Sequence, residues 1–335
     1  MKKSVQLRRN ALSALTCLVA TASPSLAESD SAKLCNDYLH QVRVRENISG
    51  LAVAFEQHGE RRYFFAEGDA EEGMERFTKD TPLAVASITK VFVSTLIVKL
   101  MEEGRLSIYD KVQTIIPEFP FPNVFVHQIM THTSGCRATT GYNVNKKALF
   151  YEGMTQVKPI GAEFAYFSSG YNILADIIER LSGMSLQDYA QVIIFDKLDM
   201  RNTRVTPHIG ESGMWTTTED LLKFSRHLLD IHKTRKAGIL KPFSVDFMFR
   251  EITAGRFDRT PAFFLKSQTR VFGGYFADLN AENALGHAGA TGCFLLLDPT
   301  YDLSIVILSN GSKTIQKDDA NFVKINNLMM GQFAK

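Results

Sequence analysis

The feature that most constrains the fold is the placement of strand-like segments near both ends of the chain, with helical patterns between them. Apolar runs bounded by turn residues cover 51–57 and 62–66 early in the sequence, and 270–276, 292–297 and 303–308 late in it. Strands from the two ends share one sheet only if the segment between them is inserted. The sequence therefore predicts an α+β fold, in which an antiparallel sheet built from both chain ends is flanked by helices and carries an inserted, mostly helical lobe.

Turn and helix signals assign the remaining segments. His58-Gly59-Glu60, between the first two runs, predicts a hairpin. Residues 298–302 predict the turn between the last two runs. The helical patterns are 31–46, 123–130, 171–181, 186–198, 219–231 and the closing segment 318–333. The expected parts of one domain over 28–335 are an α/β lobe (28–105 and 250–335) and a helical lobe (106–249).

The first 27 residues have the composition of a secretory signal peptide. Four basic residues lie within the first nine positions, residues 11–22 are mostly apolar, and Ser25-Leu26-Ala27 suits cleavage. We therefore expect a periplasmic or secreted protein. No later run approaches the roughly 18 apolar residues that a membrane-spanning helix needs, so no transmembrane segment is expected in the mature chain.

Composition and charge exclude several classes of function. The chain is 45% hydrophobic and 22% charged, which suits a large buried core. The formal net charge is +2, and removal of the four basic residues of the leader takes it to about −2. This balance gives no electrostatic basis for binding nucleic acid, so a small-molecule or peptide substrate is the expected partner. The sequence indicates no oligomeric state.

The cysteines and histidines show no metal-site spacing. Cys35, Cys136 and Cys293 remain after the leader, an odd number that permits at most one disulfide and leaves its pairing open. His127 and His132 lie five residues apart, which matches no familiar zinc motif. A Gly-x-Ser-x-Gly elbow and a phosphate-binding glycine loop are both missing from the sequence. We therefore expect neither a metal nor a cofactor.

Ser87-Ile-Thr-Lys90 begins the apolar run that ends at Gly104. A spacing of three places the two side chains on one helix face, one turn apart. We predict that Ser87 caps the start of this helix and that Gly104 ends it. The run is apolar on most sides, so Lys90 must find partners or lose its charge. Ser-x-x-Lys alone also fits a capping serine followed by a solvated lysine.

Three further stretches place reactive side chains among small residues. They are 131–135, 164–172 and 286–292. His132 can satisfy backbone groups of its own loop, which is the role we favour for it. Tyr166 can be a core tyrosine and Ser168 a helix cap. Gly289 can mark a bulge on an edge strand that leaves His287 exposed.

Taken together and in this order, these stretches resemble the serine β-lactamase and penicillin-binding-protein superfamily. They are most similar to its branch of class C β-lactamases, DD-peptidases and related esterases, over about residues 51–310. Ser87-Ile-Thr-Lys90 looks like the Ser-x-x-Lys motif of this family, Tyr166-Phe-Ser168 its Tyr-x-Asn motif, and His287-Ala-Gly289 its third motif, Lys or His before a small residue and Gly. Residues 131–135 and 212–221 are similar to a loop and to a helix start of this branch.

The resemblance implies a site and a role for each residue. Ser87 is implied as the nucleophile that forms an acyl-enzyme, with Lys90 and Tyr166 as alternative general bases and proton shuttles. The backbone N–H groups of Ser87 and Ala290, the residue after Gly289, are implied as the oxyanion hole. In the same way, Ser168 and His287 are expected to orient the substrate or to relay the proton of the leaving group.

Two departures from the family pattern guide the expected substrate. Ser168 stands where the family carries asparagine, so a shorter hydroxyl replaces a substrate-positioning amide. His287 stands where class C β-lactamases carry lysine, and histidine is mostly neutral near pH 7. We therefore expect an exported serine hydrolase, first a D-alanyl-D-alanine-type carboxypeptidase or related peptidase or amidase. A carboxylesterase is the second expectation and a class C-like β-lactamase the third; outside enzymes, the alternative is a penicillin-binding sensor or scaffold without turnover.

Overall fold

The computed structural model describes residues 29–70, 76–266, 275–311 and 320–335. The predicted signal peptide, residues 1–27, lies outside them. The strands are β1 Gly50–Gln57, β2 Glu60–Gly68, β3 Leu83–Ala84, β4 Cys136–Ala138, β5 Met154–Gln156, β6 Arg204–Val205, β7 Met214–Thr216, β8 Phe264–Leu265, β9 Leu285–Gly289, β10 Cys293–Asp298 and β11 Leu303–Ser309. The helices are α1 Asp30–Arg45, α2 Thr89–Glu102, α3 Val112–Ile115, α4 Val126–Met130, α5 Lys147–Glu152, α6 Gly170–Ser182, α7 Leu186–Ala190, α8 Thr218–Thr234, α9 Pro242–Phe249 and α10 Ala320–Phe333.

The main sheet joins the two ends of the chain. Within the described residues it has six strands in the order β2-β1-β11-β10-β9-β8, and each neighbouring pair is antiparallel. β1 pairs with β11 from Leu51 opposite Ser309 to Gln57 opposite Leu303. The predicted hairpin of β1 and β2 and the predicted pairing of β10 and β11 are both present. The predicted α+β fold is confirmed, with mostly helical structure inserted between β2 and β8.

Helices cover both faces of this sheet, which explains why its central strands are apolar almost throughout. Along β1, Leu51, Val53 and Phe55 belong to one buried cluster, whereas Ala52 and Ala54 belong to another. Successive side chains of a strand point to opposite faces, so both faces need an apolar cover. α1 and α10 pack together in the first cluster, and α2, α6 and α8 contribute to the second.

One predicted strand lies mostly outside the described residues. Of the predicted strand 270–276, residues 270–274 lie outside the described residues, and Tyr275 and Phe276 lie in no strand. Instead, β8 and β9 continue the sheet beyond β10. The rings of Tyr275 and Phe276 pack edge-on against Phe294, at centroid distances of 5.7 and 6.0 Å. At Tyr275 and Phe276 the apolar pattern therefore marks an aromatic cluster.

The three cysteines of the described chain are free. Cys35, Cys136 and Cys293 are all buried and form no disulfide with one another. Burial raises the pKa of the Cys35 and Cys136 thiols to about 11, so both stay protonated and unreactive near neutral pH. Among the described helices, none combines the length and the apolar character that crossing a membrane requires.

The packing of α10 on the sheet can be tested at Phe294, which is 1% exposed and contacts Phe322 of α10 at a centroid distance of 5.7 Å. We expect Phe294→Ala to lower the free energy of unfolding by about 3–5 kcal/mol, because it opens a cavity between the sheet and the helix. Phe243, 81% exposed, is the matched control, and Phe243→Ala should change stability by less than about 0.5 kcal/mol. Equal effects in urea unfolding would contradict this packing.

Candidate active site

Ser87 lies in a strained turn immediately before α2. A short 3₁₀ helix covers Ala86–Ile88, and Ala86 has a φ of 44°. A non-glycine residue in this left-handed region stores strain that the surrounding structure must hold, as occurs at many functional sites. The prediction that Ser87 caps the helix is wrong, because no side chain caps either Ala86–Ile88 or α2. The hydroxyl of half-buried Ser87 instead points to Lys90 and Tyr166.

Lys90 is fully buried on the first turn of α2. Its amine contacts three oxygens: Ser87 Oγ at 2.9 Å, Ser168 Oγ at 3.1 Å and the backbone carbonyl of Glu211 at 2.6 Å. Burial lowers the pKa of Lys90 to about 7, partly opposed by the charge of Glu211. A large fraction of Lys90 is therefore neutral at physiological pH, which is the state that can accept a proton.

Tyr166, in the loop before α6, also contacts Ser87. Its hydroxyl donates to Ser87 Oγ at 3.0 Å, and its ring centroid lies 5.3 Å from the amine of Lys90. Burial raises the pKa of Tyr166 to about 12, so the phenol keeps its proton at neutral pH. The three residues of the two predicted motifs therefore meet around one hydroxyl oxygen.

His132 supports the segment that carries Tyr166. Its Nδ1 accepts the backbone N–H of Phe167 at 3.1 Å, and its carbonyl accepts the N–H of Ala165 at 2.9 Å. The imidazole ring lies 4.4 Å from the ring of Tyr166, centroid to centroid. Burial holds the pKa of His132 well below its usual range, so the ring stays neutral and Nδ1 stays an acceptor. His132 is therefore structural, as predicted, but the backbone group that its side chain satisfies belongs to the Tyr166 segment and not to its own loop.

Asn172 holds Glu211 in the position from which its carbonyl contacts Lys90. The buried amide of Asn172, on α6, donates to Glu211 Oε1 at 2.9 Å and accepts the N–H of Glu211 at 3.1 Å. Sequence reasoning missed this contact, since a backbone carbonyl has no residue signature. The only available signal was the position of Glu211 directly before the 212–221 stretch.

β9 lies directly against the turn that carries Ser87. A Cβ added at Gly289 would come within 2.1 Å of the carbonyl oxygen of Val85, so only glycine permits this approach. Ala290 follows at the exposed end of β9. The third predicted motif is therefore brought to Ser87 by the edge of the main sheet.

His287 is turned into the protein on β9. It is 1% exposed, which excludes the alternative of an exposed histidine. Its Nδ1 contacts the carbonyl of Ala288 at 2.8 Å, so Nδ1 carries the proton and donates. Burial holds the pKa of His287 well below its usual range, and the neutral ring leaves Nε2 as an acceptor without a hydrogen-bond partner.

No metal centre is formed by the residues that the structure describes. They contain no group of three or more His, Cys, Asp or Glu side chains arranged to hold an ion. What the site does contain is a reachable hydroxyl, a buried amine with a lowered pKa and a phenol within hydrogen-bond distance. This set can activate an oxygen nucleophile without a cofactor.

Comparison with known proteins agrees with this geometry. Residues 35–328 match the family model described as Beta-lactamase. The chain belongs to this family. Its members are serine hydrolases, and the predicted relation to the serine β-lactamase and penicillin-binding-protein superfamily is confirmed.

Individual relatives are distant. Penicillin-binding protein 4* of Bacillus subtilis (strain 168) is 32% identical over 175 residues, which are 48% of this chain and 39% of that protein. Penicillin-binding protein 4 of Amycolatopsis lactamdurans is 25% identical over 320 residues, covering 81% of this chain and 83% of that protein. A solved class C β-lactamase superposes with a TM-score of 0.74 at 19% identity, over 92% of this chain and 98% of its own, and so shares the fold.

The contact of β9 with the Ser87 turn yields a prediction. In Gly289→Ala the new methyl group must push β9 away from Val85, and displacements of about 1 Å at such sites lower activity by roughly 10²-fold. We expect that loss in kcat/KM for an activated ester. Gly331→Ala on α10 is the control, because a Cβ there meets nothing within 4 Å. Full activity in a folded Gly289→Ala variant would contradict the assignment of Gly289 to the site.

Proposed function

We propose that the chain hydrolyses an acyl substrate through a covalent intermediate on Ser87, with Lys90 as the general base. The observation that carries this is the hydrogen-bond arrangement of the Lys90 amine. A neutral amine has two N–H groups and one lone pair. The Glu211 carbonyl can only accept, so it takes one N–H, and Ser168 Oγ accepts the other. The lone pair then faces Ser87, 2.9 Å away, and can take its proton.

Tyr166 completes the proton path in this proposal. Its O–H donates to Ser87 Oγ. As the tetrahedral intermediate collapses, Tyr166 can therefore donate this proton to the leaving group and regain one from the Lys90 ammonium. Its high pKa argues against the phenolate as the resting base and supports the assignment of that role to Lys90. The backbone N–H groups of Ser87 and Ala290 are the proposed oxyanion donors, supported by the approach of β9 to the Ser87 turn.

For the substrate we propose a peptide or amide, with a D-alanyl-D-alanine-type carboxypeptidase as the leading candidate. The penicillin-binding names of two relatives support this choice. A carboxylesterase is the second candidate, favoured by the neutral state of His287, which leaves the third motif without a fixed cation for a substrate carboxylate. Ser168 contacts the amine of Lys90, so we assign it to positioning the base.

We further propose that the protein is exported, on the evidence of the basic and apolar pattern of residues 1–27. A cell-wall peptide or another extracytoplasmic acyl compound is the substrate that this location would supply. Fractionation of cells that produce the full chain tests the location: a cytoplasmic, unprocessed product would contradict it.

The nucleophile is tested by Ser87→Ala. We expect hydrolysis of a p-nitrophenyl ester to fall at least about 10³-fold, since the variant keeps the fold but loses the attacking oxygen. Ser225→Ala is the matched control and should retain activity, because this buried serine lies on α8 and its hydroxyl donates to the carbonyl of Leu221 in the same helix. Undiminished turnover in Ser87→Ala would refute the proposal.

Assays of the unmodified chain with different substrates separate the candidate functions, and Ser87→Ala is the negative control in each. Release of D-alanine from a cell-wall peptide supports the carboxypeptidase, and fast ester turnover without labelling by a fluorescent β-lactam supports the esterase. Rapid β-lactam turnover supports the lactamase, and stable labelling without turnover of any substrate supports the sensor.

The pH dependence tests the base. Protonated Lys90 has no lone pair, so kcat/KM should rise with pH through a midpoint near the Lys90 pKa of about 7. The fall at high pH belongs to Tyr166, whose pKa of about 12 places it beyond the assay range. Lys90→Met should remove the activity, and Lys99→Met, on the same helix, should leave both midpoint and rate unchanged. A midpoint below about pH 5.5, more than a unit from 7, would contradict the role of Lys90.

A further inference from the structure

We propose that Arg259 is a positioning residue of this site. Its buried guanidinium, which has no counterion, supplies a fixed positive charge that favours the loss of one proton from the Lys90–Tyr166 pair. The inference rests on the proposed acyl transfer by Ser87. No sequence motif points to Arg259, which lies in the loop before β8. It is a residue that the family resemblance leaves without a role.

The environment of Arg259 is unusual for an arginine. The side chain is 0% exposed and is the largest fully buried side chain of the described chain. None of its three guanidinium nitrogens makes a hydrogen bond of good geometry, although the neighbouring Tyr171 hydroxyl stabilises the charge, and no carboxylate among the described residues forms an ion pair with it. Its Cζ lies 3.8 Å from the ring centroid of Phe264, a contact that stabilises a cation only in part. A buried charge without a counterion is strongly unfavourable, so its retention needs an explanation.

Two contacts place the Arg259 segment beside the catalytic elements. The carbonyl of Pro261 accepts the hydroxyl of Ser94 at 2.8 Å, and Ser94 lies one turn beyond Lys90 on α2. Phe264, under the guanidinium, pairs with Gly286 of β9, and its ring lies 5.2 Å from the ring of His287. The segment 259–264 therefore lies between α2, which carries Lys90, and β9, which carries the third motif.

Among the titratable groups that face the Lys90–Tyr166 pair, Arg259 is the one that carries a positive charge. His132 after α4 and His287 on β9 are neutral, and Tyr171 on α6 is a protonated phenol that donates to the carbonyl of Met130. Glu211 faces the pair with the opposite charge and raises the pKa of Lys90, whereas Arg259 lowers the pKa of both Lys90 and Tyr166. The two charges therefore act in opposite directions on the same pair.

An unpaired arginine is what this function requires. The pair can lose a proton as neutral lysine beside phenol, or as ammonium beside phenolate, and a nearby cation stabilises either form against the fully protonated one. A carboxylate bound to Arg259 would cancel that field. Arg259 has no counterion among the described residues, so its field stays in place. This field keeps Lys90 neutral and able to accept the proton of Ser87.

The test is the pH profile of kcat/KM for a p-nitrophenyl ester in Arg259→Met, which removes the charge and keeps apolar bulk. We expect the acid limb to move up by about one pH unit, so that activity falls several-fold near pH 7 and recovers above pH 9. Glu211→Gln should move the limb the other way, and the double variant should return it toward the wild-type position. Arg226→Gln on α8, which breaks an ion pair with Glu56 of β1, is the control for lost stability and should not move the limb.

Each other outcome counts against the proposal. An unmoved limb in folded Arg259→Met, or an equal fall in rate at every pH, would assign Arg259 to packing alone. If Arg259→Met does not fold, Arg259→Gln takes its place, and loss of the fold in both neutral variants would make stability the role of the residue. Ser87→Ala is assayed in parallel: activity that survives it refutes the acyl-transfer proposal, whereas Ser87-dependent activity with an unmoved limb refutes only the role of Arg259.

Discussion

The burial of one amine is the constraint on which the rest of the site depends. Lys90 has no contact with solvent, and its three oxygen partners come from the turn before α2, from the loop before α6 and from the loop before β7. A lysine in such a place destabilises the fold unless each N–H finds an acceptor and the charge is reduced. The same partners that make its burial tolerable also fix the direction of its lone pair. Tertiary structure and reactivity are therefore set by one set of contacts.

The sheet supplies the second half of this arrangement. Because β1 and β11 pair across the two ends of the chain, β10 and β9 are carried to the position beside the Ser87 turn. That position is useful only if β9 comes close, and Gly289 allows the approach by lacking a side chain. The helical insertion brings Tyr166 and Ser168 from the other direction. The site thus lies where the strands from both ends meet the inserted lobe.

The sequence predicted those parts of the fold and the site that leave a pattern in residue type. Strand runs at both ends indicated the sheet, and the spacing of Ser87 and Lys90 placed two reactive groups on one helix face. The sequence did not predict features that are set by backbone geometry, such as the positive φ of Ala86 and the contact of the Glu211 carbonyl with Lys90. Serine is common both as a cap and as a nucleophile, so its residue type alone could not exclude the wrong cap assignment. The role of Arg259 was not predicted for another reason. The burial of an arginine is a property of the assembled core, and no neighbouring residue in the sequence indicates it.

Several polar groups of the site are already engaged within the protein, and this bears on how the site can discriminate substrates. Ser168 contacts Lys90, His287 contacts its own strand, and the guanidinium of Arg259 is buried over the ring of Phe264. Groups engaged in this way tune protons better than they recognise ligands, because a substrate would have to displace existing contacts or open the packing to reach them. If recognition falls instead to the backbone of β9 and to shape, selectivity between an amide and an ester would follow mainly from leaving-group chemistry. In the proposed mechanism, the departures from the family pattern at 168 and 287 then act on the proton network first and on substrate binding second.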